Sequence, residues 1–298
     1  MENNHFIGLS AGLLAAFSWA LASVIFRRLG LKIHPLTLNL YKGLVAMSGL
    51  ILILLISDGL LADVSALSYI LLLTSGIIGI GVGDSAFFAA LNRLGERQTV
   101  LISETMAPLI TIVLAGWVFA EHLSFAALLG LAAIIGGIFI VVSEKPQNGN
   151  RAEHDVRGLI YGFTAAVCQA IGGILSKAVF NMHDVSPLWS AMVRLAGGIL
   201  FLIIFIPLSG QNFIPKNSRT LNVWKFILIA SVIGTLGGLA FQQMAFKYTY
   251  TGIAQTLIAT SAIFVLVIAW YNKQKVSAKS WVGAMCSIVG VGILFWFQ

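Results

Sequence analysis

Residues 8–28, GLSAGLLAAFSWALASVIFRR, are written a second time at 158–178 as GLIYGFTAAVCQAIGGILSKA. Each run is apolar for about twenty residues, the length that crosses a bilayer as a helix. The Gly8-x-x-x-Gly12 spacing of the first returns as Gly158-x-x-x-Gly162 in the second. Further along, Gly79-x-x-x-Gly83 returns as Gly234-x-x-x-Gly238, and Gly130 with Gly137 returns as Gly283 with Gly290. Between these landmarks lie ten apolar runs, at 6–26, 36–56, 67–91, 98–118 and 123–142, then 157–177, 187–208, 224–246, 251–271 and 279–297. Five spans per copy is an odd number, so the second copy enters the membrane upside down. The sequence therefore predicts an all-α polytopic membrane protein of ten transmembrane helices in two inverted five-helix repeats. The first repeat is 1–142 and the second 157–298. The stretch 143–156, SEKPQNGNRAEHDV, is the polar linker between them.

Composition leaves little room for anything else. Of 298 residues 58% are hydrophobic and 10% charged, and the mean hydropathy is +0.94. Ordinary soluble domains are about one quarter charged. No stretch outside the spans is long enough for a soluble catalytic or nucleic-acid-binding domain. The net charge of +7 needs no nucleic acid to explain it, because the basic residues lie in loops. Cys168 and Cys286 fall inside apolar runs and imply neither a disulfide framework nor a metal site. The first span is followed by Arg27-Arg28 and not by a small-residue cleavage site, so it reads as a span and not as a signal peptide. Tyr69, Trp117, Trp189, Trp224, Trp270, Trp281 and Trp296 fall near span ends, as an interfacial aromatic belt does.

The Lys and Arg count gives an orientation. Loops 1–2, 3–4, 5–6, 7–8 and 9–10 contain or border fourteen: Arg27, Arg28, Lys32, Arg93, Arg97, Lys145, Arg151, Arg157, Lys216, Arg219, Lys225, Lys273, Lys275 and Lys279. The opposite face has two, Lys177 and Lys247. Cytoplasmic loops carry the excess of positive charge. Both termini are thus expected outside, in a multi-pass protein of the cell (inner) membrane.

Aligned, the repeats show a more specific pattern. Each has an Ala-rich end to its third span, ALNRLGE and AFKYTYTG, followed directly by the fourth. The first copy continues APLITIVLAGWVFAEHLS, with Pro108 inside the fourth span and Glu121 just beyond it. Over essentially the whole chain this resembles the EamA-type branch of the drug/metabolite transporter superfamily. Ser261 stands where Pro108 aligns and Gln274 where Glu121 does, so those two features carry over to the first copy alone. The resemblance implies cytoplasmic termini, and here the local charge count argues the reverse.

Charged side chains inside a bilayer are costly and face the protein interior or a cavity. Four stand inside spans: Lys42, Asp84, Glu104 and Arg194. Lys42 and Arg194 occupy equivalent places early in spans 2 and 7. At 1.5 Å per residue, Lys42, Asp84 and Glu104 lie roughly 10–14 Å below the odd-numbered loops, so one cation and two carboxylates share a layer. One reading is a structural ion cluster that ties spans 2, 3 and 4 together. The other is proton coupling, because two carboxylates in one low-dielectric cavity resist being ionised together. Glu104 is the stronger candidate, one turn before Pro108, where a proline frees a backbone carbonyl.

The second repeat has no acidic counterpart. Arg194 is accompanied by Gln242, Gln243, Gln255 and Thr256, with Thr260 and Ser261 beside them. This set reads as interhelical hydrogen bonding, or as a half-site in which Arg194 binds a carboxylate through its fork. Arg194 snorkelling to lipid phosphate is a third possibility. Trp19, far from either interface, matches Gln169 in the second copy. Together with Asn39 and Tyr41 they are candidates for the lining of a solute site. Gly79, Gly83, Gly234 and Gly238 suit close helix packing, and with Pro108 they are candidate gating positions.

Inverted repeats around a midplane site are a common plan of secondary transporters. The expected function is alternating-access transport of a small amino-acid-like or amphipathic metabolite, as an exporter coupled to proton antiport. The alternative is an uncoupled facilitator or exchanger of a zwitterionic or anionic metabolite. An intramembrane enzyme lacks support: there is no His-Glu-x-x-His, Gly-x-Ser-x-Gly or Walker loop, and all five histidines lie in loops or at span ends. No cofactor or metal is implied. The expected partners are a small-molecule solute and membrane lipid, without nucleic acid, in a monomer or homodimer.

Overall fold

The computed structural model describes residues 2–30, 32–57, 59–94, 96–143, 155–214, 221–273 and 276–296. Most of the expected linker, the basic residues Lys145, Arg151, Lys216, Arg219 and Lys275, and Gln274 lie outside the described residues. Within them the chain is helical with no strand. The first repeat holds α1 (Glu2–Gly30), α2 (Pro35–Ile56), α3 (Ala66–Leu94), α4 (Glu96–Phe119) and α5 (Phe125–Val142). The second holds α6 (Val156–Met182), α7 (Pro187–Leu208), α8 (Leu221–Ala230 continuing through Tyr248), α9 (Thr251–Tyr271) and α10 (Ala278–Trp296). Among the described residues nine helices are long and apolar enough to cross a membrane. The tenth, α5, is the shortest at 18 residues. These are the ten spans read from the sequence, in two inverted sets of five.

Local chemistry sets the helix ends. Pro35 and Pro187 stand in the first turns of α2 and α7, where a missing N–H costs nothing. Ser65 caps α3 and Ser124 caps α5, each accepting a backbone N–H three residues on. Asp155 caps α6, accepting from the N–H groups of Arg157 and Gly158.

The repeats are interlocked. α1 packs on α8 and α9 of the second repeat, and α6 packs on α3 and α4 of the first. The repeated glycines lie at these crossings. Gly8 faces the Tyr248–Thr249 end of α8, and Gly158 faces Arg93 and Leu94 at the end of α3. Gly12 meets Leu257 of α9, and Gly162 meets Ile102 of α4. α5 and α10 form a separate seam in which Gly130 faces Gly290 and Gly137 faces Gly283. Ser287 donates a hydrogen bond across it to the Ile134 carbonyl (3.1 Å).

Three features depart from regular helix. α3 passes through a π-helical turn at Ile77–Gly83 and α8 through one at Ser231–Gly237, at equivalent places in the repeats. α9 is interrupted at Thr260, whose hydroxyl bonds back to the Leu257 carbonyl (2.6 Å). α4, by contrast, runs unbroken through Pro108. Trp189, at the start of α7, is 2% exposed and packs edge-on against Tyr69, so it faces the protein at that span end and not lipid.

Candidate functional site

A cavity of about 130 Å³ lies between the repeats. α2 and α3 bring Lys42 and Asp84 to it, α4 brings Glu104, α1 brings Trp19, α6 brings Gln169, and α7 and α8 bring Arg194 and Gln242. Seven candidates scattered over the sequence therefore line one cavity. Asn39, Tyr41, Gln243, Gln255 and Thr256 do not line it.

Lys42 Nζ lies 2.5 Å from Asp84 Oδ2. The ammonium also sits 5.2 Å from the Phe88 ring centroid and 6.0 Å from that of Phe26, within cation–π range. Asp84 follows directly on the π-helical turn of α3. Within that turn the Ile80 carbonyl accepts from Asn39 Nδ2 (2.8 Å), which also donates to Ser85 Oγ (3.0 Å). Asn39 thus braces the turn beneath the ion pair. Tyr41 points the other way and packs edge-on against Trp224.

Arg194 is 3% exposed. Its Nη1 donates to Gln243 Oε1 (2.9 Å) and to Gln242 Oε1 (3.2 Å). Gln243 in turn donates to Ser190 Oγ (2.5 Å), which fixes the amide flip. A Cβ on Gly79 or Gly172 would stand 3.2 or 3.3 Å from Arg194 Nη2. The guanidinium is therefore seated between two glycines and directed inward, not to lipid phosphate. Its Nε has no acceptor among the described residues.

Glu104 is 8% exposed and has no hydrogen-bond or ion-pair partner among the described residues. Gln255 and Thr256 are buried in α9 away from the cavity, Thr256 bonding back to Gly252 O (2.8 Å). Gly79 and Gly234 reach the cavity wall, while Gly83, Gly238 and Pro108 do not.

Sequence reading missed Ser23 and Phe26 on α1 and Phe87 and Phe88 on α3, all in the wall. A signal existed. Ser23 and Phe26 follow Trp19 at helical spacing, and Phe87 and Phe88 follow Asp84 by three and four residues, which puts each set on one helix face.

Phe26, Leu91 and Val100 carry the cavity toward the face of Arg27, Arg28 and Arg93. The other face is stitched around the α8–α9 turn. Lys177 Nζ donates to the Phe246 and Thr249 carbonyls (2.9 Å each), capping α8. Glu121, from the other repeat, accepts from Thr251 N–H (2.9 Å) and Oγ1 (2.8 Å), capping α9. Lys247 Nζ reaches Asp184 Oδ1 (2.6 Å) and the Val185 carbonyl (2.9 Å). The Lys247 hydrogen bond holds the exposed Asp184 carboxyl below the usual carboxylate range. On the basic face Arg93 does the same for Asp155 through a 2.8 Å ion pair.

A family model described as the EamA-like transporter family matches residues 6–143 and again 156–296. The chain belongs to the EamA-like transporter family. An uncharacterized transporter, YyaM of Bacillus subtilis, is 22% identical over 83% of this chain and 80% of its own. An uncharacterized transporter of Archaeoglobus fulgidus is 22% identical over 95% of each chain. GDP-fucose transporter 1 of Monosiga brevicollis is 23% identical over 46% of this chain and 41% of its own. A solved crystal structure superposes with a TM-score of 0.75 over 98% of this chain and 96% of its own, at 13% identity, which is a likeness of fold. This EamA-like chain is therefore a multi-pass membrane transporter of a small-molecule solute.

Proposed function

We propose that this transporter exports a small amino-acid-like metabolite by alternating access, in exchange for protons. The observation that carries the reading is the charge arrangement of the cavity. Lys42 and Asp84 neutralise each other. Among the described residues that leaves one cation lining the cavity, Arg194, held by amides with its Nε lacking an acceptor, and one carboxylate, Glu104, without a partner. A zwitterion offers the complement of both: its carboxylate to Arg194 and its ammonium to Glu104. A proton arriving on Glu104 displaces the ammonium, so proton and solute compete for one group and travel in opposite directions. An anion without the ammonium would instead bind best beside a protonated Glu104, which gives co-transport; the sign of coupling thus follows from the substrate.

Size supports a small solute. An apolar cavity of about 150 Å³ holds a benzene molecule, and the cavity here is of that order. A nucleotide sugar such as the GDP-fucose of one relative's name exceeds it in this conformation. The two family matches at 6–143 and 156–296 support rocking of one repeat against the other, and the Lys and Arg distribution supports termini on the outer side of the cell membrane.

The test is counterflow in proteoliposomes against a panel of amino acids and related metabolites, with and without a pH gradient. The expected result is accumulation of one or more panel members, driven further by an opposed proton gradient. Counterflow indifferent to the gradient leaves the uncoupled exchanger, and no counterflow by any amine-bearing solute overturns the substrate reading.

A further inference from the structure

Trp19 lines the cavity, and the position of its indole is set from behind by a single hydrogen atom. The α-carbon of Gly238, first residue after the π-helical turn of α8, lies against the ring. A methyl group there would overlap Nε1 and stand 2.6 Å from Cδ1. Four residues back, Gly234 lets Ala22 of the same α1 face come equally close. The indole is half-buried, and its Nε1 has no hydrogen-bond partner among the described residues.

The equivalent crossing in the other repeat is built differently. There Gly83 of α3 receives the Cβ of Cys168 on α6, 2.9 Å from where its own would be, and the residue beside it is Gln169. One π-turn thus seats a flat ring of nine ring atoms and the other a small thiol. The cavity's width on the α1–α8 side is therefore the depth to which Trp19 can withdraw.

We infer that Trp19 and Gly238 together set the upper size of the solute: Trp19 is the movable wall and Gly238 the positioning residue that gives it room. This rests on the reading of the cavity as the solute site. An indole buries 150–250 Å², comparable in bulk to anything a cavity of this size holds, so a small displacement of the ring changes what fits. Ala at position 238 pushes the indole into the cavity and excludes larger solutes. Ala at position 19 opens the cavity and makes position 238 irrelevant to size.

The experiment measures cavity width without a substrate. Gln169, which lines the same cavity from α6, is changed to Cys in full-length protein carrying Cys168→Ser and Cys286→Ala. The purified protein is then labelled with methyl and benzyl methanethiosulfonate. Trp19→Ala is expected to raise the benzyl rate relative to the methyl rate about tenfold, equivalent to about 1.4 kcal/mol in barrier, with Trp19→Phe intermediate. Gly238→Ala is expected to lower that ratio, and Trp19→Ala/Gly238→Ala to match Trp19→Ala. A ratio unchanged by Trp19→Ala and Trp19→Phe overturns the inference, even if Gly238→Ala fails to fold. So does a Gly238→Ala effect that survives in the Trp19→Ala background. Counterflow of alanine, leucine and tryptophan by the Trp19 and Gly238 variants with Gln169 and both cysteines retained separates the two readings. A labelling shift without any counterflow keeps the size gauge and removes the amino-acid substrate.

Discussion

Lys42 Nζ stands 2.5 Å from Asp84 Oδ2, linking α2 to the residue that ends the π-helical turn of α3. The lysine side chain is 8% exposed and that of the aspartate 27%. Removing one member of a buried pair leaves the other uncompensated and costs about 3–5 kcal/mol. Lys42→Met is expected at about 3 kcal/mol, the lower end, because water reaches Asp84. Lys42→Met/Asp84→Asn should recover most of that loss. Thermal unfolding of the detergent-solubilised variants, followed by tryptophan fluorescence, reads both. A double variant no better than the single one would mean that the pair is not the stabilising unit.

Glu104 differs from Asp84 in having no partner among the described residues, so its replacement should affect coupling more than folding. Glu104→Gln keeps the shape and removes the titratable group. Solute counterflow at equal pH is expected to persist at within about threefold of the wild-type rate, since an amide loses only part of the carboxylate–ammonium attraction. Accumulation driven by a pH gradient is expected to vanish. Gradient-driven uptake that survives the substitution would exclude Glu104 as the proton carrier.

In the sequence Glu121 stands out only as a family feature beyond the fourth span, and the structure gives it a mechanical role. Tyr250, the residue preceding α9, supplies no side-chain cap, and Glu121 of the other repeat accepts from Thr251 instead. Loss of an N-cap costs about 0.5–2 kcal/mol. Glu121→Ala is expected to lower the unfolding temperature accordingly. Glu121→Gln, which keeps an acceptor but loses the charge favoured at a helix N-terminus, should fall between. An unfolding temperature unmoved by Glu121→Ala would remove the cap.

The α5–α10 seam supplies a test with its own control. Gly136 has nothing within 4 Å of where its Cβ would stand, while a Cβ on Gly137 would strike Gly283 and Ser287. Gly136→Ala should be neutral or stabilising by up to about 1 kcal/mol, the helix-propensity difference. Gly137→Ala should cost about 1–3 kcal/mol by overpacking. Equal effects at the two positions would contradict the crossing geometry. Monodisperse yield in size-exclusion chromatography and thermal unfolding both report it.

These cases also show where sequence reading reaches and stops. Gly130, Gly137, Gly283 and Gly290 were legible as repeated landmarks because a helix crossing needs small residues at fixed spacing. Lys42, Asp84, Glu104 and Arg194 were legible because charge inside a membrane has few permitted places. The π-helical turns were not, since an added residue in a turn leaves no mark in hydropathy. Nor was the break at Thr260, which no proline or neighbouring glycine announces. Asn39, Gln243 and Gln255 share the polarity of Gln169 and Gln242, and only the direction each helix face takes separates the cavity wall from the buried interior.

Orientation remains the broadest consequence of the charge pattern, and the structure sharpens its test. The two cations that break the pattern, Lys177 and Lys247, are both engaged around the α8–α9 turn: Lys177 on the Phe246 and Thr249 carbonyls, Lys247 on Asp184 and the Val185 carbonyl. They are structural, so they do not weaken the bias of the opposite loops. Alkaline phosphatase fused after Gln298 is expected to be active, and green fluorescent protein at the same place dark. Lys177→Met/Lys247→Met should leave that outcome unchanged while loosening the turn. A fluorescent C-terminal fusion would reverse the assignment of both faces and, with it, the side toward which Phe26, Leu91 and Val100 extend the cavity.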